Sequence, residues 1–391
     1  MELTSEFPHD PGLCYLNHAA VAPWPRRARD AVVRFADENL RQGARAYPHW
    51  IETEQALRRN LAALINAAGP EDIALVKNTS EALSMVAYGL AWEQDDEVVI
   101  TDQEFPSNRI VWESLASRGV KTRVARLGGP NDPQPIAQRG LKDGSREPEA
   151  AIEAAVNERT RLVSISSVQY GTGLKLDLKR LGRFCRARNV LFCVDAIQSI
   201  GSHPVDVEDA CIDFTMADGH KWLLGPEGLC LFYVRPTLRH QLALNEYGWH
   251  MVADRGNFDR KDWTPADDAT RFECGSPNML AAHALRASTE LLLEVGMTEV
   301  AKAIEQAVDA LHDELERVAG YQRITPDDPS RRAGILTFRL ADRDNELIQK
   351  KLMGKGVICA YRGGGIRFSP HFYTTDAVIV QAVEHLRSTL D

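Results

Sequence analysis

Val190-Leu191-Phe192-Cys193-Val194-Asp195 is an unbroken apolar run that ends on a carboxylate. Such a run predicts a strand buried on both faces, as in a parallel sheet that is covered by helices. Similar short runs recur along the chain, and most are followed by a helical pattern of apolar residues. This alternation predicts an α/β fold with a predominantly parallel sheet and helices on both of its faces. The predicted strands are 72–77, 97–101, 161–166, 190–195, 214–217 and 228–234.

The pattern changes near residue 276, after which two long helices precede a strand, a helix, a strand pair and a last helix. This order predicts a smaller α+β domain at the C-terminal end. We therefore expect a large domain over residues 21–260, and a small domain formed by 1–20 together with 261–391. Residues 127–147 are rich in Gly, Pro and Asp, which predicts a long surface loop.

The chain has 391 residues, with 55 acidic and 46 basic side chains and a formal net charge of -9. This balance leaves no positive excess for phosphate backbones, so we expect no nucleic-acid partner. The first residues are acidic, and no stretch approaches the ~18 apolar residues of a membrane span, so we expect a cytoplasmic protein without a membrane partner. The seven cysteines form no CxxC pair, which predicts structural thiols and no metal site.

Lys221 stands in Ala217-Asp218-Gly219-His220-Lys221-Trp222, directly after a predicted strand. A lysine in a glycine-flanked loop at a strand end is placed where it can meet a ligand, although most such lysines are only surface residues. Asp195 strengthens the functional interpretation, because it ends a buried strand where α/β sheets bind ligands. A carboxylate buried there needs a partner, which is either a protonated pyridine nitrogen or a neighbouring backbone group or arginine.

Asn78-Thr79-Ser80-Glu81 occupies a predicted strand-to-helix turn. Backbone N–H groups at a helix N-terminus, together with two hydroxyls, form a binding site for a phosphate, but the same residues also serve as a plain helix cap. An anion-binding site, a strand-end carboxylate and a loop lysine in this order are far more specific than any one of them. Together they indicate pyridoxal 5′-phosphate (PLP), whose protonated pyridine ring acts as an electron sink.

The sequence resembles the class V aminotransferase family of fold type I PLP enzymes, which includes cysteine desulfurases, isopenicillin N epimerase and kynureninase. The resemblance covers nearly the whole chain and is strongest at Val194–Gln198, Gly219–Trp222, Arg271–Asn278 and the segment around Arg367. It implies a mostly parallel seven-stranded sheet in the large domain and a small α+β C-terminal domain. It also implies a small amino-acid substrate and a homodimer with sites at the subunit interface.

By that resemblance Lys221 is the catalytic residue and forms the Schiff base with PLP. Asp195 pairs with the pyridine nitrogen, and Gln198 hydrogen-bonds the ring hydroxyl. The other implied cofactor contacts are Phe105 on the ring, Thr79, Ser80 and His220 on the phosphate, and Ser276 supplied by the partner subunit. On the substrate side Arg367 binds the α-carboxylate through its bidentate guanidinium. His18 stands in a family-like segment and either lies near the pocket entrance or is a hydrogen-bonded structural histidine.

Four positions depart from the cysteine desulfurases that belong to the same family. Those enzymes carry a loop with a persulfide-forming cysteine before the carboxylate-binding arginine, and Cys359–Arg367 leaves no room for that loop. Phe105 stands where they stack a histidine, and Asp218 where they hold the phosphate with a serine. Residues 167–170 lack the asparagine often found near the ring hydroxyl. The sequence therefore does not predict desulfurase activity.

Three reactions use the same cofactor- and substrate-binding residues: transamination, loss of a β-substituent and epimerisation. We rank an aminotransferase first, a C–S or other β-lyase second and an epimerase third. A nicotinamide-dependent oxidoreductase is disfavoured because residues 77–82 lack the G-x-G-x-x-G pattern. A non-catalytic relative that keeps PLP is disfavoured because Lys221, Asp195 and Arg367 are all present.

Overall fold

The computed structural model describes residues 3–127 and 147–390. Its helices are α1 (Leu3–Glu6), α2 (Arg26–Gln42), α3 (Tyr47–Leu64), α4 (Thr79–Gly89), α5 (Ser107–Glu113), α6 (Pro148–Ala155), α7 (Leu178–Arg186), α8 (Met279–Val295), α9 (Met297–Glu316), α10 (Asn345–Gly354) and α11 (Asp376–Leu390). Its strands are β1 (Cys14–Tyr15), β2 (Ile73–Val76), β3 (Glu97–Thr101), β4 (Lys121–Ala125), β5 (Thr160–Ser166), β6 (Leu191–Asp195), β7 (Phe214–Asp218), β8 (Cys230–Val234), β9 (Tyr321–Arg323), β10 (Leu336–Leu340), β11 (Val357–Ile358), β12 (Ala360–Arg362) and β13 (Gly365–Phe368).

The large sheet has seven strands in the order β2-β8-β7-β6-β5-β3-β4. Strand β8 is antiparallel to both of its neighbours, and the other neighbouring pairs are parallel. The connection 219–229 between β7 and β8 contains no helix and is too short for a parallel crossover, so the chain returns antiparallel. The prediction of a mostly parallel α/β sheet is confirmed.

Strand β6 is buried on both faces, as its unbroken apolar sequence predicts. Phe192 and Val194 pack into one hydrophobic cluster with helices α3, α6, α7 and α8, whereas Cys193 between them belongs to a second cluster with α4 and α5. Successive side chains of a strand point to opposite faces, so the two clusters lie on the two sides of the sheet. Because helices cover both faces, a ligand can bind at the edge of the sheet that the carboxyl ends of the parallel strands form.

The C-terminal part contains a second sheet, antiparallel, in the order β12-β13-β10-β9. Helices α9, α10 and α11 share one hydrophobic cluster with this sheet and with Cys14 and Leu16 near the start of the chain. Strand β1 pairs in parallel with β11, which attaches the N-terminal arm to this part, whereas α8 packs against α2 and α3. The domain division at residues 20 and 260 remains a prediction.

Two local differences from the sequence-based expectations have physical reasons. Strand β4 was not predicted, because it lies at the sheet edge and most of its side chains are exposed, which removes the apolar signal. The sequence of residues 108–118 predicts one continuous helix, but α5 ends at Glu113 and the chain continues as a 3-10 turn to Arg118, after which Gly119 adopts a left-handed φ of 80°. The predicted loop 127–147 lies, apart from its two ends, outside the described residues. Among the described residues, no helix has the length and apolar composition to span a membrane.

Candidate active site

A cavity of about 250 Å³ opens at the carboxyl ends of β6 and β7 and is closed on its far side by residues of the small sheet. Its walls bring together residues that are far apart in the sequence. Eight of the ten site residues predicted from the sequence line it: Thr79, Ser80, Phe105, Asp195, Gln198, His220, Lys221 and Arg367.

Lys221 enters the cavity from the connection between β7 and β8. The loop lies close to α8, since a Cβ atom on Gly225 would be 2.6 Å from Cδ1 of Leu285, so the glycine makes this approach possible. Burial and the charge of Arg367 together lower the pKa of the Lys221 ammonium to about 8, against the opposing effects of Asp195 and Asp218. Its amine is therefore far more often neutral near pH 8 than an ordinary lysine.

Asp195 lies at the end of β6 with 2% of its surface exposed. Its Oδ1 accepts a hydrogen bond from the backbone N–H of Ile197 at 3.1 Å. Burial raises the pKa of this carboxyl to about 7, while the backbone hydrogen bond and Lys221 act in the opposite direction. A buried carboxylate that faces a cavity with a single such bond is suited to pair with a cationic ring nitrogen.

The predicted anion-binding site is the N-terminus of α4. Helix α4 begins at Thr79, and the side chain of Asn78 caps it by accepting from the N–H of Glu81 at 2.9 Å. Ser80 donates its hydroxyl proton to Ser107, a cavity residue at the start of α5. The Nδ1 atom of His220 is buried and has no hydrogen-bond partner in the part of the chain that the structure describes. Backbone donors, hydroxyls and an unpaired imidazole nitrogen thus face one corner of the cavity.

Gln198 is held in one orientation by two neighbours. Its amide nitrogen donates to the carbonyl of Ala19 at 3.0 Å, and its amide oxygen accepts from the indole N–H of Trp222 at 2.8 Å. The second amide hydrogen is the donor that remains for a ring hydroxyl. The residue directly after Lys221 therefore orients a second predicted cofactor ligand.

Arg367 lies on β13 of the small sheet with 2% of its surface exposed. One terminal nitrogen donates to the carbonyl of Tyr170 at 2.8 Å, whereas its buried Nε has no partner among residues 3–127 and 147–390. Burial and the charge of Arg362 together lower the pKa of this guanidinium to about 10. A buried guanidinium with unused donors is a binding site for a carboxylate.

An aromatic wall faces Lys221. The Nζ atom of Lys221 lies 5.6 Å from the centroid of the Phe105 ring, and Phe105 meets Tyr170 edge to face at 5.2 Å. Phe105 is 41% exposed, so its ring is accessible for stacking on a planar ligand.

The structure does not bring His18 into the cavity, which corrects the sequence-based assignment to the substrate side. His18 is fully buried behind Ala19, where Nδ1 donates to the carbonyl of Ser369 at 2.8 Å and Nε2 accepts from the hydroxyl of Tyr373 at 2.6 Å. Both ring nitrogens are used within the protein, and burial keeps the pKa of His18 well below its usual range.

Ser276 is exposed near the start of α8 and does not line the cavity of its own chain. Its contact with the phosphate of a partner's site remains a prediction. Sequence reasoning missed Ser107, Tyr170 and Arg362 as cavity residues and left Asp218 out. Asp218 carried a signal, because it stands directly before Gly219-His220-Lys221. The other three lie at the start of α5, in a turn and at the end of β12, where no local pattern shows that the side chain reaches the cavity.

These residues fit PLP. The lysine amine has a lowered pKa, the corner at α4 offers donors for a phosphate, and Asp195 faces the cavity where a pyridinium would need a counter-charge.

The comparisons with known proteins agree with this geometry. The model of the family described as aminotransferase class-V matches residues 14–375. The chain belongs to this family. A probable cysteine desulfurase of Methanothermobacter thermautotrophicus is 30% identical over 386 residues, which cover 93% of this chain and 92% of the relative. The chain is therefore a PLP-dependent enzyme of the class V family.

Solved structures share the fold over almost the full length. The cysteine desulfurase of Thermococcus onnurineus NA1 superposes with a TM-score of 0.85 at 22% identity, covering 99% of this chain and 97% of the other. The cystine C–S lyase C-DES, solved with its product cysteine persulfide, superposes with a TM-score of 0.87 at 24% identity, covering 97% and 99%. The fold is that of fold type I PLP enzymes.

Proposed function

We propose that this class V enzyme is a C–S lyase that removes sulfur from cysteine or its disulfide. The support is that the 30%-identical relative is named a probable cysteine desulfurase, and that a structural neighbour is named a cystine C–S lyase. Both names describe cleavage of a carbon–sulfur bond. The lyase, ranked second from the sequence, thus takes precedence over the aminotransferase that was ranked first.

The state of Cys359 distinguishes a lyase from a desulfurase that uses a protein thiol. Cys359 is 3% exposed, and burial raises the pKa of its thiol to about 12. It lies between β11 and β12, and β12 turns into β13 through Gly363 and Gly364, both with positive φ. A neutral thiol held beside a tight hairpin is neither nucleophilic nor mobile. In the proposed reaction the sulfur therefore leaves on a small molecule.

The chain's own residues divide the work of such a reaction. When bound, PLP supplies an electron sink that acidifies the α-hydrogen of the amino acid. Arg367 would bind the substrate carboxylate, and Asp195 at the end of β6 would supply the counter-charge for the pyridine nitrogen. Lys221, with its lowered pKa, takes the α-proton on Nζ and returns a proton to the departing sulfur. The balance is cysteine and water to pyruvate, ammonia and hydrogen sulfide.

The test is a product analysis of the purified, PLP-loaded protein with cysteine and with cystine as separate substrates. We expect pyruvate and ammonia in equal amounts, with sulfide from cysteine or persulfide from cystine. Cys359→Ala is the matched control and should retain full turnover, because the thiol is enclosed. Alanine as the organic product, lost in Cys359→Ala, would show a desulfurase and refute the lyase. A sulfur-containing keto acid formed without sulfide would show transamination and refute it as well.

We also propose a cytoplasmic homodimer, as the family resemblance implies. The segment 247–264 surrounds a cavity of about 430 Å³ that none of the predicted site residues lines. It exposes Tyr247, Phe258 and Trp263 at 63%, 75% and 54% of their surfaces, an apolar patch suited to a second subunit. Sedimentation at micromolar concentration should give twice the monomer mass; a monomer that turns over at full rate would contradict this.

A further inference from the structure

Asp218 is an acidic residue inside the predicted phosphate corner. It is the last residue of β7, is 9% exposed and lines the cavity. Its Oδ1 accepts the backbone N–H of Thr79 at 3.0 Å, the first N–H of helix α4. A carboxylate thus occupies one of the donors that the proposed placement of PLP assigns to the phosphate. Two anions that share one helix N-terminus repel each other.

Among the described residues near Asp218, Lys221 is a cation that offsets that repulsion. Lys221 attracts the carboxylate, whereas Glu227 adds a further negative charge. His220 holds its Nδ1 3.7 Å from Oδ2 of Asp218, which is too long for a hydrogen bond. Burial, followed by the charge of Lys221, lowers the pKa of His220 to about 4, so this imidazole is neutral at physiological pH. The thiol of Cys230 on β8 stays neutral, because burial raises its pKa, and its contact with the Asp218 carboxylate lowers the pKa of Asp218. Asp195 is a second titratable carboxyl nearby, and the charge of Asp218 raises its pKa.

We propose that Asp218 holds the PLP phosphate as a neutral carboxylic acid, so that each cofactor bound takes up one proton from solvent wherever Asp218 is ionised in the free protein. The carbonyl oxygen of the acid keeps the N–H of Thr79, and its O–H donates to a phosphate oxygen. A proton from water adds to the carboxylate as the phosphate dianion enters, and no covalent bond to carbon changes. Burial already raises the pKa of Asp218 to about 6 in the free protein, which lowers the cost of this protonation near neutral pH.

Proton linkage makes the proposal measurable. Below the pKa of Asp218 the acid is already neutral, and the phosphate binds without further uptake. Above that pKa the dissociation constant of PLP rises by up to about tenfold per pH unit, because protonation must accompany binding. Asn at this position has the shape of the neutral acid, with an oxygen for Thr79 and an N–H for the phosphate, but it cannot ionise.

The experiment measures the PLP dissociation constant of the apoprotein from pH 5.5 to 8.5 for the natural chain and for Asp218→Asn. The ratio of the two constants removes the second ionisation of the phosphate itself, near about 6, because both proteins share it. The charge of Asp218 also raises the pKa of Lys221, and a control ligand without a phosphate accounts for that effect. We expect a ratio near one at pH 5.5 that rises to about tenfold or more at pH 8. Calorimetry in buffers of different ionisation enthalpy should show one extra proton taken up by the natural chain at pH 7.5.

Pyridoxal, which lacks the phosphate, is the ligand control, and its ratio between the two proteins measures the effect of Asp218 on Lys221 alone. The PLP ratio divided by the pyridoxal ratio should still rise with pH. A PLP ratio that stays constant from pH 5.5 to 8.5 overturns the role of Asp218. Asp218→Ser replaces the Asn variant if the latter does not fold, and should show the same loss of pH dependence. Ser80→Ala tests whether the phosphate binds at the N-terminus of α4. Unchanged PLP affinity in this variant would show that the phosphate does not bind there and would refute the proposal. The C–S lyase proposal is tested by product analysis, so neither a constant PLP ratio nor an unchanged affinity of Ser80→Ala would contradict it.

Discussion

The two sides of the active-site cavity are built differently. The large sheet contributes the ends of separate strands and one helix, so Thr79, Asp195 and Lys221 meet the cavity where the backbone leaves regular pairing. The small sheet contributes Arg367 from within β13, opposite Thr337 on β10 and Ala360 on β12. Side chains at strand ends are accessible to a ligand and can exchange protons with it. A side chain within a paired strand presents its charge in a fixed direction.

The two sides also differ in the charges they hold. On the large-sheet side, burial moves the pKa values of Lys221 and Asp195 towards neutrality, to about 8 and about 7. On the small-sheet side, Arg367 has a pKa of about 10 and remains charged at physiological pH. We therefore expect proton transfer to belong to the large sheet and carboxylate recognition to the small sheet.

The largest expected effect is that of Lys221→Ala on the large-sheet side. Without its amine the protein cannot attach PLP covalently or accept the α-proton, and we expect turnover to fall by about 10²–10⁴-fold or more. The yellow absorbance of the covalently attached cofactor should disappear. The exposed Lys179, which pairs with Asp209, is the control position, and Lys179→Ala should retain both colour and turnover. Full activity in Lys221→Ala would contradict the assignment of proton transfer to the large-sheet side.

Arg367→Ala tests the small-sheet side. Removing two charge-assisted hydrogen bonds should raise KM by about 100-fold, while PLP loading stays intact. Arg362→Ala is the matched control, since it removes an exposed guanidinium from the same cavity and should change KM by less than about fivefold. Equal effects of the two substitutions would contradict the assignment of Arg367 as the carboxylate ligand.

The smallest expected effect links the two sides. The neutral Lys221 amine attaches the cofactor, so the attachment rate should rise with pH and level off above a midpoint near 8. The charge of Arg367 helps to lower that pKa, so Arg367→Ala should move the midpoint to higher pH, towards that of an ordinary lysine. Stopped-flow absorbance from pH 6 to 10 measures both midpoints. A midpoint that does not move would show that the two sides act independently.

Much of the site could be predicted because its signals are local. Three features each indicate the backbone conformation of their own segment: the apolar run before Asp195, the helix cap at Asn78 and the glycines beside Lys221. The structure brings these three segments to one edge of the large sheet. His18 failed for the opposite reason. Its family-like segment gave no sign that Ser369 and Tyr373, more than 350 positions away, enclose both of its nitrogens.

The sequence by itself determined the strand-helix alternation and the family, and it predicted the residues that would hold the cofactor, because periodicity and short motifs depend on neighbouring residues. Tertiary structure alone decided that Arg367 faces Lys221 across the cavity, that Trp222 orients Gln198, and that Asp218 accepts the first N–H of α4. These contacts join segments distant in the chain, and packing of the two sheets sets their distances. The protonation states follow from the same packing, since burial rather than residue type shifted the pKa values.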